Sequence, residues 1–92
     1  MADNEPEHGC ELLSVQCRMA RAALALGVRD LAGAAQVSAH TLTRFERGEP
    51  LQPTTVRAIR TALEDAGCEF ICEDEGGGPG MRMRKRQVKI GG

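Results

Sequence analysis

The chain has 92 residues, enough for one small domain with a modest core, and it has no apolar run near the roughly 18 residues of a membrane helix. Its formal net charge of −1 hides an uneven pattern, because residues 1–11 carry −4, residues 12–63 carry +4, residues 64–75 carry −6 and residues 76–92 carry +5. The acidic start without Lys or Arg argues against a secretory signal and predicts a cytoplasmic protein, while the basic excess on residues 12–63 favours a nucleic-acid partner over evenly solvated faces.

Four helices are predicted in residues 11–67, after a disordered acidic segment at residues 1–10. Apolar residues recur at helical spacing in these segments, with Cys17, Ala20 and Leu24 in the first helix, Leu31, Ala32 and Ala35 in the second, and Val56, Ile59 and Leu63 in the fourth. Caps and breakers such as Ser, Pro and Gly separate the four segments. The predicted helices span residues 11–26, 28 or 29 to 36, 39–47, and 53 or 54 to about 66.

The stretch at residues 31–48 predicts two short helices joined by a tight turn. Ser38 can cap the second of them, Leu42 and Phe45 give it an inward face, and Gly48 ends it. A helix with a short, polar outer face can lie in the major groove of DNA and meet base edges. That outer face holds His40, Thr41, Thr43, Arg44 and Arg47.

The last part of the chain, residues 68–92, is predicted to be a β-hairpin tail. Alternating residues at 68–73 and 81–86 flank a glycine-rich loop. A two-stranded ribbon is marginal alone in water, so we expect its edge to pair with a second copy of the chain. The alternative is that the hairpin folds back on the first or fourth helix of a monomer. The expected dimer interface includes Phe70, Ile71, Met81 and Met83.

The spacing of the four cysteines argues against a metal site. Cys10 and Cys17 are seven residues apart and Cys68 and Cys72 are four apart, unlike the C-x-x-C spacing that favours zinc. In a reducing cytoplasm, disulfides are not expected. Cys17 and Cys68 are predicted to fill small core positions. The sequence predicts neither a metal nor another cofactor.

A spaced pattern of residues runs from Gln16 to Leu63. It comprises Arg21, Leu24, Leu31-Ala32, Val37-Ser38, Thr41-Leu42, Arg44 and Phe45-Glu46-Arg47-Gly48. With this pattern the segment resembles the Cro/CI-type (XRE) helix-turn-helix repressor domain, and the C-terminal part looks like a subgroup of small bacterial regulators with a β tail. The resemblance implies a mainly α, four-helix, lambda-repressor-like DNA-binding domain at residues 11–67 with a C-terminal β-hairpin. It also implies a homodimeric transcription regulator that binds operator DNA, associated with the nucleoid.

The resemblance also implies roles for individual side chains. Base contacts are expected from Ala39, His40, Thr43 and Arg44. Phosphate contacts are expected from Arg29, Ser38, Thr41, Arg47, Thr54 and Arg57. Arg44 could bond guanine O6 and N7 in a two-pronged contact, whereas His40 could instead be a solvent-facing residue without a role. In the family, Glu46 pairs with Arg21, which would clamp the first helix to the third.

Three positions depart from the family pattern. Val28 stands where a polar side chain usually contacts phosphate, and Glu49-Pro50 open the loop after the third helix without a basic residue. Gln36 stands at the turn where the family usually has Gly. If that bend needs a positive φ, Gln costs roughly 1 kcal/mol there.

The sequence leaves other functions open. The chain could be an antitoxin-like interaction protein that autoregulates and masks a partner through its C-terminal tail, with acidic residues 64–75 and basic residues 82–89 as a partner surface. The basic tail could follow a phosphate backbone, or be a solvated strand that deters aggregation. An enzyme is not expected, because no nucleophile–base set is apparent around His8 or His40 and the Gly-rich loop lacks the Lys and Ser/Thr of a phosphate-binding loop.

Overall fold

Four helices and one two-stranded antiparallel hairpin form the part of the chain that the computed structural model describes, residues 10–84. The elements are α1 (Ser14–Leu24), α2 (Val28–Ala35), α3 (Ala39–Glu46), α4 (Pro53–Asp65), β1 (Cys68–Ile71) and β2 (Gly80–Met83). The predicted mainly α fold with a C-terminal hairpin is confirmed at this level. No helix within residues 10–84 is long and apolar enough to cross a bilayer. Most of the predicted disordered segment and the end of the basic tail lie outside the described residues.

Helix α1 is shorter than predicted at both ends. It begins at Ser14 because the Gln16 side chain folds back and accepts a hydrogen bond from the Leu13 backbone N–H at 3.0 Å. It ends when Ala25 takes a left-handed conformation with φ 58°, and the next N–H returns to the Arg21 carbonyl. The glycine expected to end α1, Gly27, instead precedes α2 as its N-cap.

The connection between α2 and α3 occupies residues 36–38. Gln36 adopts φ 61°, a left-handed conformation that costs a residue with a Cβ about 1–2 kcal/mol. The Val37 N–H then donates to the Ala32 carbonyl at 2.9 Å, which closes the end of α2. Ser38 caps α3 as predicted, since its hydroxyl accepts the Thr41 N–H at 2.9 Å. The cap at Ser38 and the left-handed conformation of Gln36 together set the direction of α3 relative to α2.

A single core joins all four helices and the first strand. The predicted inward residues of α2, α3 and α4 are buried, and Cys17 and Cys68 are both free thiols within this core, as predicted. The core consists of Leu12, Cys17, Ala20, Leu31, Ala32, Ala35, Leu42, Phe45, Val56, Ile59, Leu63 and Cys68.

The hairpin folds back on its own monomer, which was the alternative to pairing with a second copy. Phe70 lies opposite Met81 in the ladder, and both side chains pack against the core. Phe70 and Met81 are half-buried by this packing, so less of each side chain is open to a second copy, and the dimer interface expected at the hairpin stays a prediction. Ile71 and Met83 remain exposed.

A buried amide, Gln16, joins α1 to both strands of the hairpin. Its side-chain nitrogen donates to the Ile71 carbonyl at 3.1 Å and to the Gly80 carbonyl at 2.7 Å. These two residues are partners in the strand register, so one side chain secures both strands at the same point. Only 1% of Gln16 is exposed, so water has little access to replace these hydrogen bonds if the amide is lost.

Replacing Gln16 by Glu is expected to lower the free energy of unfolding by about 1–3 kcal/mol, because a carboxylate would face two carbonyl oxygens without a proton to donate. Urea denaturation at neutral pH measures this loss. The matched control is Gln52→Glu, at an exposed position whose side chain makes no cap hydrogen bond, and we expect it to change stability by less than about 0.5 kcal/mol. Equal stability of the two variants would contradict the account of this junction.

Cys10 and Cys72 form a disulfide, with Cα atoms 5.8 Å apart and a sequence separation of 62 residues. The expectations that disulfides are absent and that Cys10 belongs to a disordered segment are therefore wrong. The chain beyond β1 passes beside the segment that precedes α1, where Arg60 also donates to the Cys10 carbonyl at 2.9 Å. Spacing along the sequence could not reveal this pair, because the partners are distant in the chain.

Candidate nucleic-acid interface

Helix α3 has one buried face and one open face. Leu42 and Phe45 point into the core, whereas His40 and Thr43 are exposed on the opposite side. Ala39 is half-buried and packs against the core, so it offers less of its side chain to the open face than we expected. The open face of α3 therefore consists of polar side chains of modest length.

At the start of α3, Ser38 and Thr41 are joined to each other. The Ser38 hydroxyl donates to the Thr41 hydroxyl oxygen at 2.9 Å while it also accepts the Thr41 N–H. Both hydroxyls thus support the helix N-terminus. They also lie at the surface end of the helix, where the first turn leaves backbone N–H groups available to an anion.

At the other end of α3, two arginines share one carboxylate. Arg44 Nε donates to Glu49 Oε1 at 2.8 Å, and Arg47 Nη2 donates to Glu49 Oε2 at 3.0 Å. The hydrogen bonds from Arg44 and Arg47 hold the pKa of Glu49 below its ordinary value. The sequence reasoning did not anticipate this contact, because it treated Glu49 only as a loop residue without positive charge.

Glu49 reaches the arginines because the chain reverses direction just after α3. Gly48 has φ 99°, a conformation that residues with a Cβ rarely adopt. The Glu49 N–H then donates to the Arg44 carbonyl at 3.1 Å. A glycine at the helix end signals such a reversal, but the sequence does not say which following side chain will meet the helix.

The ion pair expected between Arg21 and Glu46 is present and two-pronged. Arg21 Nε and Nη2 donate to the two carboxylate oxygens of Glu46, each at 2.8 Å. Arg18 Nη1 donates to the Glu46 carbonyl at 3.0 Å, and the Cys17 thiol donates to the carboxylate at 3.2 Å. Three residues of α1 thus hold the last turn of α3.

The negative charge of Glu46 is stabilised by neighbouring hydrogen-bond donors and arginines. Burial alone would raise the pKa of Glu46, but hydrogen bonds from Arg21 and Cys17 and the nearby arginine charges lower it more, so the net pKa lies below normal. Burial, and then the hydrogen bond to Glu46, raise the pKa of the Cys17 thiol strongly. Cys17 is therefore a protonated donor to the pair at neutral pH.

The remaining predicted phosphate contacts lie on α2 and α4. Thr54 and Arg57 are exposed on the first turns of α4 and, with Gln36, line one shallow groove beside the bend between α2 and α3. Arg29 is exposed in the first turn of α2, and within residues 10–84 it makes no ion pair. The structure thus groups Thr54 and Arg57 beside the bend, and Arg29 lies apart from that groove.

The exposed apolar side chains on α1 were missed by the sequence reasoning, whereas those on the hairpin were named in advance. Val15 and Met19 are exposed one helical turn apart on α1, and Leu13 is exposed just before it. Ile71 and Met83 are exposed on the hairpin, which packs beside α1. The signal was available as a second apolar spacing on α1, but the stripe at Cys17, Ala20 and Leu24 dominated the pattern. Within residues 10–84, no cluster of three or more His, Cys, Asp or Glu side chains could hold a metal.

In comparisons with known proteins, no protein-family model matches the chain, and no curated protein sequence matches it.

Proposed function

We propose that the protein binds double-stranded DNA in a sequence-specific manner and acts as a homodimeric transcription regulator. The single observation that carries this proposal is the pairing of α2 and α3: α3 buries Leu42 and Phe45 and turns His40 and Thr43 to solvent. A short helix that is held firmly on one side and polar on the other suits the major groove. We take α2, the bend and α3 as a helix-turn-helix of the lambda-repressor type.

The charges around α3 support DNA rather than a protein partner for this face. Arg57 lies beside the bend, and the two arginines that share Glu49 leave one net positive charge at the far end of α3, so both ends of the reading helix carry positive charge. Phosphate contacts from such positions would fix the orientation of the protein on the duplex, while Thr43, His40 and Arg44 meet base edges. With genomic DNA as its ligand, the proposed regulator would lie with the nucleoid in the cytoplasm.

Homodimerisation belongs to the same proposal, because reading helices of this type usually act in pairs. We assign the exposed apolar side chains of Val15 and Met19, one turn apart on α1, to contact with the second copy. The contribution predicted for Phe70, Ile71, Met81 and Met83 on the hairpin stays part of the same proposal. The antitoxin-like alternative has no comparable support within residues 10–84, since the hairpin that would mask a partner packs on its own core.

Two arginine variants test the proposed docking by having different effects. Arg44→Ala is expected to relax discrimination at one base pair by about 1–3 kcal/mol, because it removes a contact to a base edge. Arg57→Ala is expected to weaken binding to all sequences alike and to reduce the steepness of the salt dependence by about one contact.

Fluorescence polarisation with a selected site, its single-base variants and an unrelated duplex, each across a salt series, measures both effects. If Arg57→Ala changed base preference while Arg44→Ala weakened every duplex equally, the assigned orientation of α3 would be wrong. A wild-type protein with equal affinity for every duplex would overturn the proposed function itself.

A further inference from the structure

Resting on the proposed function, we propose that Glu49 is a positioning residue for DNA reading. Its carboxylate holds Arg44 in one orientation toward the base edges and cancels part of the positive charge that would otherwise attract any phosphate. Glu49 thus raises sequence discrimination while it lowers general affinity for DNA. Nothing in the sequence pattern assigned it such a role, and its negative charge at this point otherwise opposes a DNA-binding surface.

Glu49 engages only part of the Arg44 guanidinium. A guanidinium has five N–H donors, and Glu49 takes the one on Nε. No hydrogen bond to another residue within 10–84 involves the two terminal nitrogens of Arg44. Those nitrogens carry the remaining donors and can meet guanine O6 and N7 together, end-on. The contact with Glu49 therefore leaves the reading edge of the guanidinium available.

Glu49 is itself held in place by the backbone. The left-handed Gly48 and the bond from the Glu49 N–H to the Arg44 carbonyl bring the backbone of Glu49 onto the last turn of α3. Glu49 and Arg44 are thus joined through backbone and side chain at once. An arginine loses much rotamer freedom when it binds, and a side chain that is already held loses less. A held Arg44 also fits fewer alternative bases.

Glu49 also lowers the positive charge at the end of α3. Glu49 binds Arg47 with its other oxygen, so three charged groups at the end of α3 sum to one positive charge instead of two. Non-specific affinity for DNA comes from phosphate neutralisation, which Arg47 would supply if it were released. A lower non-specific affinity increases the ratio between specific and non-specific binding.

The test compares Glu49→Ala, Glu49→Gln and a matched control, Glu69→Gln, in the full chain. Glu69 accepts from Arg82 Nε at 2.9 Å with 42% of its side chain exposed, against 39% for Glu49, but it lies on the hairpin. Binding is measured to a selected site, to the same site with the guanine of Arg44 exchanged, and to an unrelated duplex, each at several salt concentrations. Circular dichroism verifies that each variant is folded.

Glu49→Ala is expected to bind the unrelated duplex several-fold more tightly, with a salt dependence steeper by about one phosphate contact. Its discrimination at the exchanged base pair is expected to fall by about tenfold. Glu49→Gln keeps an acceptor for Arg44, so we expect it to retain more of the discrimination while it shows the same gain in general affinity. Glu69→Gln is expected to change neither.

Unchanged discrimination in Glu49→Ala, or weaker binding to the unrelated duplex, would overturn the inference while the proposed function stands. A wild-type protein without any sequence preference would overturn both. These two failures are therefore distinguished by the wild-type measurements alone.

Discussion

Arg21→Ala is expected to lower the free energy of unfolding by about 3 kcal/mol, at the lower end of the range for breaking a buried pair. The Glu46 side chain is 9% exposed and that of Arg21 is 24% exposed, so removal of the guanidinium leaves a carboxylate with little access to water. The pair also connects α1 to the last turn of α3. The variant should therefore be less stable, and α3 should be held less firmly against α1.

Acid should reduce the difference between Arg21→Ala and the wild type. In the wild type the pKa of Glu46 lies below its ordinary value of 4.5, so the pair stabilises the fold above that pH and the contribution disappears as the pH falls through the lowered pKa. In the variant the pKa of Glu46 is expected to be higher than in the wild type, because Arg21 no longer offsets the effect of burial, so protonation relieves the unpaired charge at a higher pH. Urea denaturation of both proteins from pH 7 to pH 4 measures this convergence.

The control for Arg21→Ala is Arg82→Ala, which breaks the exposed pair with Glu69 on the hairpin. Exposed pairs contribute about 0–1 kcal/mol, so this variant should remain close to the wild type. If both variants lost the same small amount, Arg21 and Glu46 would not form a stabilising clamp. A double variant, Arg21→Met with Glu46→Leu, should regain much of the stability, because neither side chain is then a buried charge.

Reduction of the Cys10–Cys72 disulfide is expected to lower the free energy of unfolding by about 2–4 kcal/mol. The bond closes a loop with a sequence separation of 62 residues, and long closed loops restrict the unfolded chain most. The fold should persist after reduction, since the core, which comes from Leu12, the helices and β1, includes neither of these cysteines.

Urea denaturation with and without dithiothreitol measures the effect of the disulfide, and a Cys10→Ser, Cys72→Ser variant in oxidising buffer should match the reduced protein. Thiol titration in denaturant should find two free thiols in the oxidised protein, Cys17 and Cys68. Four titratable thiols after air oxidation, or equal stability of the oxidised and reduced forms, would contradict this prediction.

Local signals in the sequence were sufficient for most of the helical part. Periodic apolar residues identified the inward faces of α3 and α4, and Ser38 marked the start of α3 because its capping bond spans only three residues. The resemblance to a known family supplied the pair of Arg21 and Glu46, which are far apart in the chain. Strand pairing was predictable because the two alternating segments are close in sequence.

Contacts between distant segments were not predictable in the same way. The disulfide from Cys10 and the bonds of Gln16 to the hairpin depend on where the chain returns after β1, and no local spacing specifies that path. The end of α1 at Ala25 was missed because propensity favours Gly for a left-handed residue. Glu49 was missed for a related reason, since its role depends on how Gly48 reverses the chain.

Selection of binding sites from randomised duplex DNA by the purified full chain tests the central claim most directly. We expect the selected sequences to converge, at moderate salt, on two half-sites related by a two-fold axis, with centres about 10–10.5 base pairs or one helical turn apart. A pool that remains unenriched after repeated rounds would contradict the claim that α3 reads DNA sequence as part of a dimer.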